Sequence, residues 1–425
     1  MQVATLGVYA RLAIYAKLFL VAQKNLLLVG APGVGKTKLA RAVAQLSTRD
    51  HSEPIIVVGR DGLTHERLIA YYTADGDKIR LRLGDFSRSV LSSWARIGLG
   101  LGPRYFVVDE INRSNADVLF GEVFTAMDIE HRMFIPVIKG DAYDHVMKLV
   151  DSGEVQELGF RDSDELEQLK VVLGRVKDRG LNGVPMPYAF RIIATMNLYD
   201  RAQLYKLGFA LQRRFAYLYI PTPLDDVRPT LDQKALRSTE DERRAEKIYE
   251  QLKRRDSRLA KVAIRELSGE LPPSLIEGDH PAAPLALVGR GELEEALGKA
   301  LETFDGALRL ISYVYSVALE YMGVEIGIST LVDAVKLLVI SYVASPSSEP
   351  LLDPAEVADL VLSALILPWL SAAVPKARGE LLMLIDEKPV NKAMGRIVKK
   401  VREVLGELSL SARVASSYEL APLSS

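Results

Sequence analysis

The sequence predicts an α/β fold: a parallel sheet flanked by helices, followed by an all-helical region. Three observations predict it. Apolar runs lie near residues 25–30, 55–59, 105–109 and 191–196. They are continuous rather than alternating, as expected of strands buried on both faces. Between them lie stretches with helical spacing, such as Lys38-Leu39-Ala40-Arg41-Ala42-Val43-Ala44, so strand and helix alternate along the chain. Beyond residue 290 the pattern turns helical, with Leu308, Ile311, Val314 and Tyr315 on one face.

The chain opens with an apolar stretch, Leu6 to Leu20, interrupted by Arg11 and Lys17. No small-residue cleavage site follows, so an amphipathic helix leading into the first strand is expected rather than a signal segment. Residues 360–374 are apolar but too few to span a bilayer, and they contain Pro368. A cytoplasmic protein with no membrane association is therefore expected. At 425 residues the chain is long enough for two or three domains. A net charge of −1 gives no global attraction for nucleic acid. The absence of cysteine excludes disulfides and thiolate-held metals. The high charged fraction and scarcity of Asn and Gln lean towards a thermophile.

The first strand runs directly into Gly30-Ala31-Pro32-Gly33-Val34-Gly35-Lys36-Thr37. Glycines let this backbone curl so that its N–H groups face phosphate oxygens, and the following helix presents its positive end. Lys36 is expected on the β/γ-phosphates and the Thr37 hydroxyl on Mg²⁺. Residues Gly30 through Lys38 are therefore the candidate nucleotide-binding segment. The run Tyr105-Phe106-Val107-Val108 ends in Asp109-Glu110, at the strand end where such sheets bind ligands. Asp109 is the second candidate Mg²⁺ residue, through water, and Glu110 the candidate for orienting the attacking water. Ile192 to Met196 forms another buried run, ending in Asn197, which can hydrogen-bond a γ-phosphate or that water. The adjacent pair Arg213-Arg214 suits a phosphoryl transition state in a neighbouring subunit.

These segments together resemble the AAA+ ATPases, within them the McrB, MoxR and dynein-related branch. Asp109-Glu110-Ile111-Asn112-Arg113-Ser114-Asn115 is similar to their Walker B segment. Met196-Asn197-Leu198-Tyr199-Asp200-Arg201 resembles the M-N-x-x-D-R sensor-1 signature. Ala210-Leu211-Gln212-Arg213-Arg214-Phe215 resembles the A-L-x-R-R-F arginine-finger segment. Ile326-Gly327-Ile328-Ser329 and Ile366-Leu367-Pro368 resemble the lid motifs I-G-H-S and I-L-P of McrB-like proteins. The likeness runs over about residues 25–410. It implies a ring, expected to be a hexamer, hydrolysing ATP or GTP with Mg²⁺, each site completed by Arg213 and Arg214 from next door. Departures are visible. Ile328 replaces the lid His, and the start of that helix offers no arginine, Lys336 being a poor substitute. McrB-like proteins also carry an N-terminal DNA-reading domain; with the P-loop at residue 30, none is expected here. The resemblance is thus to forms lacking it. It implies DNA translocation or remodelling with a McrC-like nuclease partner, the alternative being a MoxR-like chaperone that remodels protein complexes.

Four divisions are expected: an α/β nucleotide-binding domain over 1–223, a charged helical segment and Pro-rich linker over 224–284, a helical lid over 285–345, and a C-terminal helical extension over 346–425. Two insertions interrupt the first. In the hairpin 73–85, period-2 alternation sets Lys78, Arg80 and Arg82 on one face and Ile79, Leu81 and Leu83 on the other. These three cations are candidate contacts for a DNA backbone in a ring's pore; a charge-guarded edge strand explains them equally well. The insertion 139–186 holds a mixed-charge helix over 162–177 and no recognisable chemistry. The dense charges of 224–270 read as a solvated or partner-facing surface.

Overall fold

The structure is a computed structural model. It describes residues 2–76, 78–197, 209–221, 229–232, 234–235, 242–270, 273–279, 288–322, 324, 326–347, 349–370, 387–407 and 409–418. Asp200 and Arg201, with Leu198 and Tyr199 of the sensor-1 signature, lie outside the described residues.

Five strands form one parallel sheet: β1 (Asn25–Gly30), β2 (Ile55–Val58), β5 (Phe106–Asp109), β8 (Ile192–Asn197) and β9 (Phe215–Ile220), in the order β2-β5-β8-β1-β9. The apolar runs are continuous because two cores share them. Leu26 and Leu28 of β1 face one core while Leu27 and Val29 face the other. In β5, Val107 joins the first core and Phe106 and Val108 the second. At the edge strand β2 this breaks down, and Ile56 and Val58 are exposed.

Helices α1 (Gln2–Val21) and α2 (Lys36–Leu46) cover the first face. α1 leaves Arg11, Ile14 and Lys17 exposed and buries Leu12, Tyr15, Ala16, Leu18 and Phe19; its apolar residues run round the whole helix, Ile14 among the exposed ones, so it lacks the amphipathic segregation expected. The C-terminal helices join the same core, so the helical region packs directly on the sheet. Tyr15 donates to Glu356 at 2.8 Å, tying α1 to the helix Pro354–Val361. That helix starts with a full capping box between Asp353 and Glu356.

The opposite face carries α3 (Asp85–Gly98) and the second insertion. A short antiparallel ladder of β6 (Pro136–Lys139) and β7 (Gly183–Pro185) closes that insertion at its base. Its helix α4 (Ser163–Asp178) is capped by Asp162, which accepts from the amides of Asp164 and Glu165, one residue from the expected bounds. The first insertion is the hairpin of β3 (Ala70–Asp75) and β4 (Lys78–Leu83). Of the expected Pro-rich linker, residues 273–279 are described. Leu275 and Ile276 are buried there, and Asp279 accepts from the amides of Tyr188 and Ala189.

Candidate nucleotide site

The strand order brings the predicted residues together. β8 lies between β1 and β5, and Gly30 is in register with Asn197 across the β1–β8 pair. The P-loop, Asn197 and the carboxylates of Asp109 and Glu110 therefore meet at the carboxyl edge of the sheet, where ligands bind in such folds. Gly33 and Gly35 adopt the left-handed conformation, with φ of 79° and 85°, which curls the loop into the first turn of α2. At Gly30 the reason is contact. A Cβ there would stand 2.7 Å from the Ile220 carbonyl of β9.

Lys36 is buried, and its ammonium donates to the carbonyls of Gly30 (3.0 Å) and Ala31 (2.8 Å) and to Oδ1 of Asn197 (2.8 Å). Burial pulls its pKa below the ordinary lysine value, against the opposing pull of Asp109 and Glu110. Thr37 donates to Oδ1 of Asp109 at 2.7 Å. A hydroxyl and a carboxylate oxygen side by side are hard donors of the kind Mg²⁺ takes, with phosphates and water supplying the rest. Among the described residues no three His, Cys, Asp or Glu side chains gather as a metal site of their own. Lys38 lies in the first turn of α2, where backbone amides have no partner within the helix and can face a ligand.

Glu110 leaves β5 in the left-handed conformation (φ 53°), a strained setting for a side chain larger than Asn. That turn swings its carboxylate towards Asn197, whose Nδ2 donates to it at 3.2 Å, and Arg113 pairs with its other oxygen at 3.1 Å. A continuous polar chain thus runs Lys36–Asn197–Glu110–Arg113.

Sequence reasoning missed three supports of this site. The Thr195 hydroxyl donates to Asp109 (2.6 Å) and accepts from the Glu110 amide (2.9 Å), fixing both carboxylate-bearing residues at once. Its signal was present, since a hydroxyl in a buried strand, on the same face as Asn197, needs a polar partner. Gly59 donates its amide to the Asp109 carbonyl at 2.7 Å, and a Cβ there would meet the Glu110 carbonyl at 2.3 Å. Tyr9 of α1 donates its hydroxyl to the Val34 carbonyl of the P-loop; nothing in the sequence linked that helix to the loop.

Arg213 and Arg214 lie elsewhere. They precede β9, whose first residue Phe215 is level with Asn25, while Gly30 is level with Ile220. Five strand steps of about 3.3 Å separate the pair from its own P-loop, some ~16 Å. The two arginines share Asp128, Arg214 at 2.8 Å, but differ in surroundings. The Arg213 side chain is 48% exposed, that of Arg214 only 10%. Arg214 stacks over Phe124, and burial lowers its pKa. Their carbonyls are held by Lys24 (2.6 Å) and Asn25 (3.2 Å) at the start of β1.

The pair lines a cleft of about 530 Å³ together with residues of helix Arg258–Leu267 and of the start of helix Ile328–Val343. A buried ion network closes its floor. Asp333 pairs with Lys24 (2.8 Å) and Lys336 (2.7 Å), and Lys336 with Glu266 (2.9 Å). Lys336 is thus consumed in structure, and the motif Ile326-Gly327-Ile328-Ser329 opens onto the arginine cleft at the opposite edge of the sheet from the P-loop.

On the hairpin, Arg80 pairs with Asp75 (3.0 Å) and Arg82 with Glu157 (2.8 Å). Lys78 has no ion pair among the described residues. The opposite face shows Tyr72 and Ile79, 63% and 77% exposed.

A glycine curl with Lys and Thr, an acidic strand end and a polar sensor between them define a P-loop nucleoside triphosphatase. More narrowly, residues 25–215 belong to the AAA domain family, dynein-related subfamily, whose model they match. Over 206 residues the chain is 28% identical to the type IV methyl-directed restriction enzyme EcoKMcrB subunit of Escherichia coli K12. That stretch is 48% of this chain and 36% of the relative, so the chain spans about a third of that protein's length. A crystal structure of a candidate ATPase from Cytophaga hutchinsonii covers 86% of each chain at 12% identity with a TM-score of 0.38, too loose a likeness to argue from. No helix among the described residues is long and apolar enough to cross a membrane.

Proposed function

We propose that the chain is a ring-forming ATPase in which each nucleotide is held by one subunit and its hydrolysis completed by the next. The observation that carries this reading is the chain Lys36–Asn197–Glu110 beside the Thr37–Asp109 pair. In the nucleotide-bound state Lys36 exchanges its carbonyl partners for the β/γ-phosphates. Freed from Lys36, Asn197 holds the attacking water against the γ-phosphate, and Glu110 polarises it. Thr37 and Asp109 would hold Mg²⁺, which would supply charge neutralisation on the phosphates. The developing charge on the γ-phosphoryl group is met by Arg213 of a neighbouring copy, a strand's length being too far for its own. Arg214, stacked and largely buried, orients that neighbour-facing segment. A homo-oligomeric ring, in the related branch a hexamer, follows from this division of labour.

For the work coupled to hydrolysis, the similarity to a restriction enzyme subunit supports a McrB-like motor that moves along or remodels DNA and delivers it to a McrC-like nuclease. A second reading, remodelling of protein complexes, is favoured by the hairpin, where two of three cations are already neutralised and Tyr72 and Ile79 stand exposed. Hydrolysis of ATP and of GTP, each with and without DNA over a range of salt, separates these. Stimulation by DNA that fades with salt and with Lys78→Ala supports the first. Indifference to DNA, with stimulation by a protein partner, supports the second. Failure to hydrolyse either nucleotide in assembled protein would sink the reading as a whole.

A further inference from the structure

Side chains hold the P-loop carbonyls from two directions. Lys36 takes those of Gly30 and Ala31 from within the site, where its ammonium also meets Asn197. These bonds are surrendered when Lys36 turns to a phosphate. The Tyr9 hydroxyl takes the Val34 carbonyl from α1. That bond uses none of Lys36, Thr37, Asp109 or Asn197, so an arriving nucleotide leaves it in place.

The Val34–Gly35 peptide needs such a restraint. Gly35 stands at φ 85°, and glycine adopts φ of either sign at little cost. Half a turn of this one peptide plane therefore meets little resistance from Gly35 itself. The Val34 amide makes only a long bond to the Ala31 carbonyl, at 3.5 Å, and it belongs to the preceding peptide. In a trans peptide the carbonyl and the N–H point opposite ways, so tying the Val34 carbonyl to Tyr9 turns the Gly35 N–H away from α1. A flipped plane would present an oxygen where a phosphate needs a donor. Tyr9 is close enough to matter, since a Cβ on Gly35 would stand 3.4 Å from its hydroxyl oxygen. Its helix is firmly seated. Leu12, Tyr15, Ala16 and Phe19 are buried, and Tyr15 is bonded to Glu356.

We propose that Tyr9 is a positioning residue for nucleotide binding, whose hydroxyl holds the Val34 carbonyl outward and so keeps the Gly35 N–H turned to the phosphates before a nucleotide arrives. Tyr9 itself touches no phosphate. Its contribution is preorganisation, because apparent affinity falls with the fraction of molecules whose loop is competent to bind. The amides of such a loop cradle the α- and β-phosphates, so the effect falls on triphosphate and diphosphate alike and leaves the chemistry at the γ-phosphate unchanged. The inference rests on the reading of this curl as the seat of the nucleotide, and the test separates the two.

Tyr9→Phe removes the hydroxyl and keeps the ring, so the packing of α1 is retained. The full chain as wild type, Tyr9→Phe and Lys36→Ala is compared by equilibrium binding of ADP and of a non-hydrolysable ATP analogue, by steady-state hydrolysis, and by thermal unfolding without nucleotide. Tyr9→Phe should bind both nucleotides about three- to tenfold more weakly, the worth of one hydrogen bond. Its KM should rise while kcat stays at the wild-type value, and its melting temperature should stay within about 2 °C of wild type. Unchanged or tighter binding overturns the proposal. A loss confined to the ATP analogue overturns it too, as does a fall in kcat as large as the loss of affinity. A larger drop in melting temperature would make Tyr9 a packing residue and likewise refute it. Binding by Lys36→Ala equal to wild type overturns the nucleotide reading itself, whatever Tyr9→Phe does.

Discussion

The two adjacent arginines should part company when mutated singly. Arg213 is half exposed and its ion pair with Asp128 is a surface pair, worth about 0–1 kcal/mol to the fold. If it acts on a neighbour's γ-phosphate, its loss should cost turnover about 10³–10⁵-fold, or ~4–7 kcal/mol of barrier. Arg214 is the reverse case. Its side chain is 10% exposed, stacked over Phe124 with the guanidinium 5.4 Å from the ring centre. Truncation would forfeit that contact and a buried charge-assisted hydrogen bond, about 1–3 kcal/mol together, with Asp128 still served by Arg213. Thermal unfolding, nucleotide binding and turnover in assembled protein should therefore split the variants. Arg213→Ala should keep its melting temperature and nucleotide affinity and lose turnover; Arg214→Ala should lose stability as well. Normal turnover by assembled Arg213→Ala would refute the trans assignment, and equal destabilisation of both variants would refute the argument from burial.

Other expectations concern the carboxyl edge of the sheet and the C-terminal helices. Lys36→Ala should abolish nucleotide binding, while Glu110→Gln should bind nucleotide and stall; equilibrium binding of a fluorescent nucleotide beside phosphate release would read both. Thr195→Val should slow turnover about 10–100-fold, as loss of a residue orienting metal-site ligands does, and Thr195→Ser should restore it; a serine as poor as valine would rule out the hydroxyl as the cause. Burial raises the Asp359 carboxyl from 3.8 to about 6, opposed by hydrogen bonds from Ser411 and Leu410. With the folded value above the unfolded one, its contribution is fully present below about pH 4 and lost as pH rises through 6. The melting temperature of the wild type relative to Asp359→Asn should fall across that window, and a flat difference would contradict the shift.

Much of the candidate nucleotide site was legible because its residues are local in sequence. The glycine curl, Lys36 and Thr37 fall within eight residues, and Asp109-Glu110 and Asn197 each end an apolar run. A buried strand announces itself by composition, and its end announces where polar side chains can emerge. Thr195, Gly59 and Tyr9 were not legible in the same way. Thr195 was hidden inside a run read only for its hydrophobicity, and Gly59 matters because another segment's carbonyl stands against it. The cations of the hairpin were read from their spacing, but Glu157, the partner of Arg82, comes from another segment 75 residues on.

By itself the sequence determined the alternation of strand and helix, the P-loop and the acidic strand end, because each depends on the hydrophobic period or on a short run of neighbours. Tertiary structure alone decided that β8 is inserted between β1 and β5, which joins Lys36, Asn197 and Glu110 into one chain. It also decided that Arg213 lines a cleft at the opposite edge together with residues of helices more than forty positions further along the chain. The physical reason is that strand order and helix seating are fixed by which apolar faces bury one another, and distant segments acquire neighbours only when those faces close.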